Sequence, residues 1–186
     1  MWNVNNYFGE FLGIFAAWIR REKHRLYRVI TMKKPMYLRW ILLTESVGIL
    51  SGILSARGTQ VYEQTAVKPA LTPPGIVFPV VWTILYALMG IGAARVEAAP
   101  DSQDRSHGLN LFIIHLVMNF FWSLIFFNAQ AYGAALLWLL VMWVLIIAMI
   151  AVFRRVDRPA ALLQIPYLLW VTFAAYLNYG VWMLNR

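Results

Sequence analysis

The chain contains no cysteine, so disulfides, thiolate metal sites and a cysteine nucleophile are excluded, although the redox compartment stays open. Acids are scarce: 8 Asp and Glu stand against 16 Lys and Arg, and charged residues of both signs make up only 13% of 186 residues. So little charge cannot clothe a soluble globular domain, which carries about 25%. No clustered metal-ligand spacing, glycine-rich phosphate loop or nucleophile triad is visible, so none of the common soluble-enzyme chemistries has its residues here.

In place of charge there is apolar length. Hydrophobic residues are 61% of the chain, and they fall into runs of about 20, the length that crosses a bilayer as a helix. Five such spans are predicted, at roughly 38–56, 76–94, 109–127, 131–153 and 160–184. The expected fold is an all-α membrane protein, a five-transmembrane-helix bundle over residues 38–186, preceded by a basic amphipathic extension over 1–37. Short connections such as Asn128-Ala129-Gln130 make successive helices antiparallel neighbours. Only the first, from Arg57 to Gly75, is long enough to lie over the bundle as a lid. Within the extension, Tyr7, Phe8, Phe11, Leu12, Phe15, Trp18 and Ile19 share one helical face. That stretch is too short to span, and Arg20-Arg21-Glu22-Lys23 comes directly after it, so a helix lying in the membrane interface is expected.

Charge orients the bundle. Eight cations precede residue 40 (Arg20, Arg21, Lys23, Arg25, Arg28, Lys33, Lys34 and Arg39), and Arg95, Arg105, Arg154, Arg155 and Arg158 fall on the same side. The other side holds Arg57, Lys68 and Arg186. By the positive-inside rule the N-terminus is cytoplasmic, with the long loop and the C-terminus outside. The basic segment adjoins a membrane span, so anionic lipid is the expected partner and nucleic acid is not.

Three groups of residues carry the chemistry. Lys68-Pro69-Ala70-Leu71-Thr72-Pro73-Pro74-Gly75 is a stiff, extended approach to the second helix, because proline fixes φ and disfavours helix in the residue before it. Trp82, Tyr86 and Met89 share a face of that helix, and His115, Asn119, Trp122 and Phe126 form a stripe at i, i+4, i+7 and i+11. The last helix presents Trp170, Phe173, Ala174 and Leu177. Such aromatic stripes serve either ordinary interhelical packing or a cavity for a large, flat, mostly apolar ligand.

In this order, behind a K-P-x-x-x-P-P segment, the strings Trp82–Gly90, Asn119–Ser123 with Phe126-Phe127, and Pro166–Trp170 with Asn178 resemble the TspO/MBR family, the tryptophan-rich translocator proteins of bacteria and mitochondria. The resemblance covers the five spans and leaves residues 1–37 outside. It implies an intra-bundle pocket for porphyrins, haem or sterols, closed by the first loop, with no cofactor required beyond the ligand. By motif, Trp82, Tyr86, Asn119, Trp122, Trp170, Phe173 and Ala174 become ligand-binding residues, and Tyr62, Lys68, Pro69, Pro73 and Pro74 the lid. Ala174 would serve by being small. A bacterial cell membrane is the implied location, and transport, buffering or sensing of the tetrapyrrole the implied role.

Some relatives resemble light-dependent porphyrin-degrading catalysts that use a tryptophan in loop one and another in the last helix. Here Trp170 matches the second, but Tyr62 occupies the first position and Leu71 replaces an aromatic before Pro73-Pro74. Tyrosine gives up an electron less readily, so the resemblance implies binding ahead of catalysis, with Trp170 and Tyr62 the residues concerned if degradation occurs. A regulatory subunit serving other membrane proteins is a further alternative. Tyr179 is too far from Arg186 for the sterol pattern of animal members.

Three further residues or motifs stand apart. Glu45, at membrane depth, is expected to be a protonated acid hydrogen-bonded across helices. His115 is read first as hydrogen-bonded structure and second as a haem ligand. Gly48 and Gly52 form a G-x-x-x-G step that permits close approach within the bundle or in a homodimer.

Overall fold

A computed structural model describes the backbone of residues 4–186 and the side chains from residue 34 onward. Its helices are α1 (Val4–Thr65), α2 (Val77–Glu97), α3 (Gln103–Ser123), α4 (Tyr132–Val156), α5 (Arg158–Leu162) and α6 (Ile165–Leu184). Among the described residues, five helical stretches are long and apolar enough to cross a membrane: Lys34–Thr65, Val77–Glu97, Gln103–Asn128, Tyr132–Val156 and Arg158–Leu184. The chain divides into two compact units, residues 1–38 and 39–186, and the packed bundle belongs to the second. The interfacial face predicted for Tyr7–Ile19 lies outside the described side chains.

Helix α4 explains why the bundle holds. Ala135, Leu139, Met142, Ile146, Met149 and Phe153 are buried at alternating steps of four and three, a seam for left-handed helix packing against α3 and α6. The other side, including Leu137, Leu140, Val141, Val144 and Ile147, is exposed. Only 28% of the apolar stretch of α4 is buried inside the bundle, so an apolar face remains uncovered, which lipid tolerates and water would not.

Three boundaries differ from expectation. Helix α1 continues to Thr65, so the connection expected to run from Arg57 to Gly75 is a short segment over 66–76. Between Arg57 and Thr65 there is no proline and Gly58 is the only glycine, and Tyr62 is buried, so packing carries the helix on until Pro69 approaches. The last span is not continuous: α5 ends and α6 begins around Leu163-Gln164, because Pro166 lacks the N–H that would bond back one turn. Helix α3 ends in a π-helical turn over Leu124–Asn128, an expanded turn in which Ala129 N–H bonds to Leu124 O at 3.0 Å.

At one end of the bundle charge does the fastening. Arg39 donates to both carboxylate oxygens of Glu97 at 2.5 and 2.6 Å, and the Trp40 indole N–H reaches the same carboxylate. Arg95 forms a two-pronged pair with Asp157 at 3.0 Å on each arm. Asp157 also caps α5, accepting from Ala160 N–H at 2.7 Å. Partial burial opposes ionisation of Asp157, but the Arg95 and Ala160 hydrogen bonds outweigh it and hold the carboxyl below its usual value of 3.8.

Candidate functional site

The aromatic residues singled out in the sequence form two groupings. In the first, α2 and α6 run past one another with their rings in register. Phe78 meets Trp170 edge-on at 5.9 Å, and one turn further along Trp82 meets Tyr167 at 6.1 Å. The i, i+4 spacing on α2 and i, i+3 spacing on α6 produce this ladder directly. Trp82 stacks on Tyr86 with centroids 5.3 Å apart, and Trp170 continues to Phe173 at 5.7 Å. Trp82, Trp170, Phe173 and Ala174 are half-buried, so each retains uncovered surface.

A buried polar chain ties this ladder to α3 and α4. Tyr86 donates its hydroxyl to Asn119 Oδ1 at 2.5 Å, Asn119 Nδ2 donates to the Tyr167 hydroxyl at 3.3 Å, and that hydroxyl points to Met142 Sδ at 3.8 Å. Four helices are thus joined through one amide and two phenols. In a water-free interior each of these groups would be costly alone, and paired they fix helix register. Asn119 and Tyr86, expected by motif as ligand-binding residues, spend these bonds on one another and on Tyr167. Tyr86, held in this way, is the ring on which Trp82 stacks.

The second grouping lies towards the 66–76 segment. Trp122 stacks on Phe126 at 5.1 Å, and its indole N–H donates to Asn178 Oδ1 at 3.3 Å. Asn178 in turn donates to Tyr132 O at 2.8 Å. Tyr62, only 8% exposed, packs edge-on against Phe126 and Phe127 and near Tyr132, with the Lys68 ammonium 5.4 Å above its ring. Tyr62 therefore sits in the last turn of α1 as a packing anchor, and Lys68 pairs with nearby Glu63. Trp122 belongs with Tyr62 and not with Trp82 and Trp170.

The 66–76 segment is tied to α6. Asn185 clasps Val67, accepting from its N–H at 2.8 Å and donating to its carbonyl oxygen at 2.9 Å. Tyr176 donates to Ala70 O at 3.2 Å, and Pro69 lies against Gly180, where an added Cβ would stand 2.6 Å from the proline ring. Pro73 is half-buried and Pro74 exposed. Leu71, 76% exposed, adopts φ 68°, the left-handed region that residues other than glycine and asparagine rarely occupy.

Glu45 is half-buried and makes no hydrogen bond or ion pair among the described residues, contrary to the bond expected across helices. Thr44, about 100° round the helix from it, takes the inward position and donates to Tyr86 O at 2.8 Å. His115 is wholly buried, its Nδ1 3.3 Å from Leu111 O and its ring tilted against Tyr167 at 5.5 Å. Its Nε2 and Gln164 Oε1 are both buried without a partner among the described residues. The glycine pair is divided: a Cβ on Gly48 would collide with the Tyr86 ring at 2.2 Å, whereas Gly52 has nothing within 4 Å. Gly48 is thus used inside the bundle.

Sequence reading passed over Tyr167, Phe78, Asn185 and Tyr176. Tyr167 and Phe78 carried a signal in their spacing from Trp170 and Trp82. Asn185 carried none, because its partner is the backbone of a residue 118 positions away.

Comparison with known proteins agrees with this architecture. The sequence matches the TspO/MBR family over residues 40–183. It is 38% identical to the tryptophan-rich protein TspO of Chlorobaculum tepidum across 75% of this chain and 89% of that protein. It is 38% identical to protein CrtK of Rhodobacter capsulatus, across 63% and 74%. The translocator protein of Ovis aries is 36% identical, across 64% and 72%. A membrane sensory or transport role fits these relatives. Five membrane-length helices, the tryptophan-bearing ladder between α2 and α6 and a family match over most of the chain lead to one assignment: this is an integral membrane protein of the TspO/MBR family.

Proposed function

We propose that the protein binds a tetrapyrrole-like ligand against the α2–α6 aromatic ladder and thereby transports, buffers or senses it, with the N-terminus on the cytoplasmic side. The observation that carries this reading is the pair of half-buried indoles, Trp82 and Trp170, held two steps apart on one ladder with Phe173 and the small Ala174 alongside. A flat macrocycle gains by apolar burial and by stacking on rings whose orientation is already fixed. The polar chain from Tyr86 through Asn119 to Tyr167 supplies that fixing, so no ordering of Trp82 is needed at the moment of binding.

Binding is favoured over porphyrin degradation by the position of Tyr62. Its ring is enclosed by Phe126, Phe127 and Tyr132, in a different grouping from Trp170, which supports a ligand surface on the ladder without Tyr62. Titration of purified protein with protoporphyrin IX in the dark tests the reading. Saturable quenching of tryptophan fluorescence at micromolar concentration is expected, weakened about tenfold in Trp82→Ala, which removes stacking and apolar contact. Absence of saturable quenching overturns it. Light-driven loss of porphyrin absorbance with a discrete product, abolished in Trp170→Phe, would instead establish the enzymatic alternative.

A further inference from the structure

We infer that the C-terminal end of α6, from Tyr176 to its capping residue Asn185, is the catch that holds the 66–76 segment closed, with Asn185 as its principal positioning residue. The inference rests on the proposed ligand reading only for what the catch controls.

Three contacts at successive points of α6 grip three nearby residues of the segment. Asn185 meets both polar groups of the Val67 peptide, as a neighbouring β-strand would. Gly180 seats the Pro69 ring at a distance no side chain would allow. Tyr176 holds the Ala70 carbonyl. The spacing of 176, 180 and 185 places all three within the terminal part of one helix, so they act together.

Asn185 does two jobs with one amide. Its Nδ2 also donates to Val181 O at 2.7 Å, the carbonyl that accepts the Asn185 backbone N–H at 3.1 Å, which ties the side chain to the final turn. Fraying the end of α6 would therefore move the amide that holds Val67. The catch also adjoins the proposed ligand surface, because Tyr176 stacks with Phe173 at 6.3 Å and Phe173 lies beside Trp170. At the far end of the segment, Phe78 in the first turn of α2 packs on Trp170. Opening the segment thus moves groups in contact with the ladder, which the catch itself meets through Tyr176.

Such a clasp controls passage more than affinity. It strengthens the closed state whether or not a ligand is inside, so its loss speeds entry and exit by a similar factor.

The test uses the full chain in detergent, with Asn185→Ala and, as a milder variant, Tyr176→Phe. Hydrogen exchange is read at amides 67–72, and protoporphyrin IX association and dissociation are followed by stopped-flow fluorescence. Loss of the clasp is expected to speed exchange at Val67 by about tenfold, the scale of one or two hydrogen bonds. Both ligand rates should rise several-fold in Asn185→Ala, with Kd changed by less than about twofold. Tyr176→Phe should move the same quantities less, and it keeps the test available if Asn185→Ala does not fold.

Unchanged exchange at 67–72 in both variants overturns the catch. Faster exchange with unaltered ligand rates overturns its control of passage. If wild-type protein binds no porphyrin, the proposed function fails, and exchange at 67–72 still decides the clasp on its own.

Discussion

The two ends of this bundle are fastened by different physics. At the charged end, ion pairs join α1 to α2 through Arg39 and Glu97, and α2 to the α4–α5 turn through Arg95 and Asp157. At the loop end the fastenings to α3 and α6 are neutral: ring contacts around Tyr62 and Trp122, amides at Asn178 and Asn185, and close backbone approach at Gly58. The ion pair there, Lys68 with Glu63, stays local to the end of α1 and the segment after it. Charge in a headgroup region fixes a helix end regardless of what fills the core. Neutral hydrogen bonds and ring contacts exchange for one another at little cost, so the loop end is the one suited to opening.

Four changes would break or sharpen that contrast. The largest effect is expected from Gly58→Val at the loop end, where an added Cβ would lie 2.5 Å from Phe127 O and 2.4 Å from Asn128 Oδ1. Backbone there cannot give way, so a loss of about 3 kcal/mol or failure to fold is expected, read as the thermal midpoint in detergent. Gly52→Val, open to its surroundings, should change little in the same assay.

Next is Tyr86→Phe, which leaves the buried Asn119 Oδ1 without its donor and should cost about 1–3 kcal/mol by the same measurement. Asp157→Ala removes both the α5 cap and the Arg95 pair, for about 2 kcal/mol. Because the folded carboxyl is held below 3.8, its contribution is fully present above that pH and is lost as pH falls through the depressed value. Thermal midpoints measured from pH 6 down to 3 should therefore fall more steeply in wild type than in Asp157→Asn. The smallest effect is expected from Arg39→Ala: that side chain is 64% exposed, so its pair with Glu97 should contribute under about 1 kcal/mol and fade with salt. A loss larger than that of Asp157→Ala would show that the charged end is anchored chiefly through α1.

Most of the fold was legible because lipid imposes length and apolarity directly on sequence. The five spans follow from that rule, but the seam of α4 does not, because its buried face and its exposed face are equally apolar. The end of α1 was not legible, since Arg57 to Thr65 is polar enough to read as loop. Only Tyr62, docked against residues more than sixty positions away, makes it helix. The candidate site was legible by halves. The stripes of α2 and α6 gave Trp82, Trp170 and Phe173 their shared face, but periodicity places Trp122 on the inner side of α3 without saying at which height its ring finds a partner. That depends on Phe126 and Asn178. Glu45 misled for a related reason: adjacent Thr44 competes for the inward position, and helical phase decides between them by one residue.

The clasp at Asn185 bears on how freely the closing segment can change. Asn185 reads the peptide of residue 67, and Tyr176 reads the carbonyl of residue 70, neither of which depends on the side chain attached. Positions 67 and 70 can therefore drift in sequence while the segment stays fastened, and the demand for identity passes to positions 176, 180 and 185. A segment held in this way can change its side chains without losing its hold on α6.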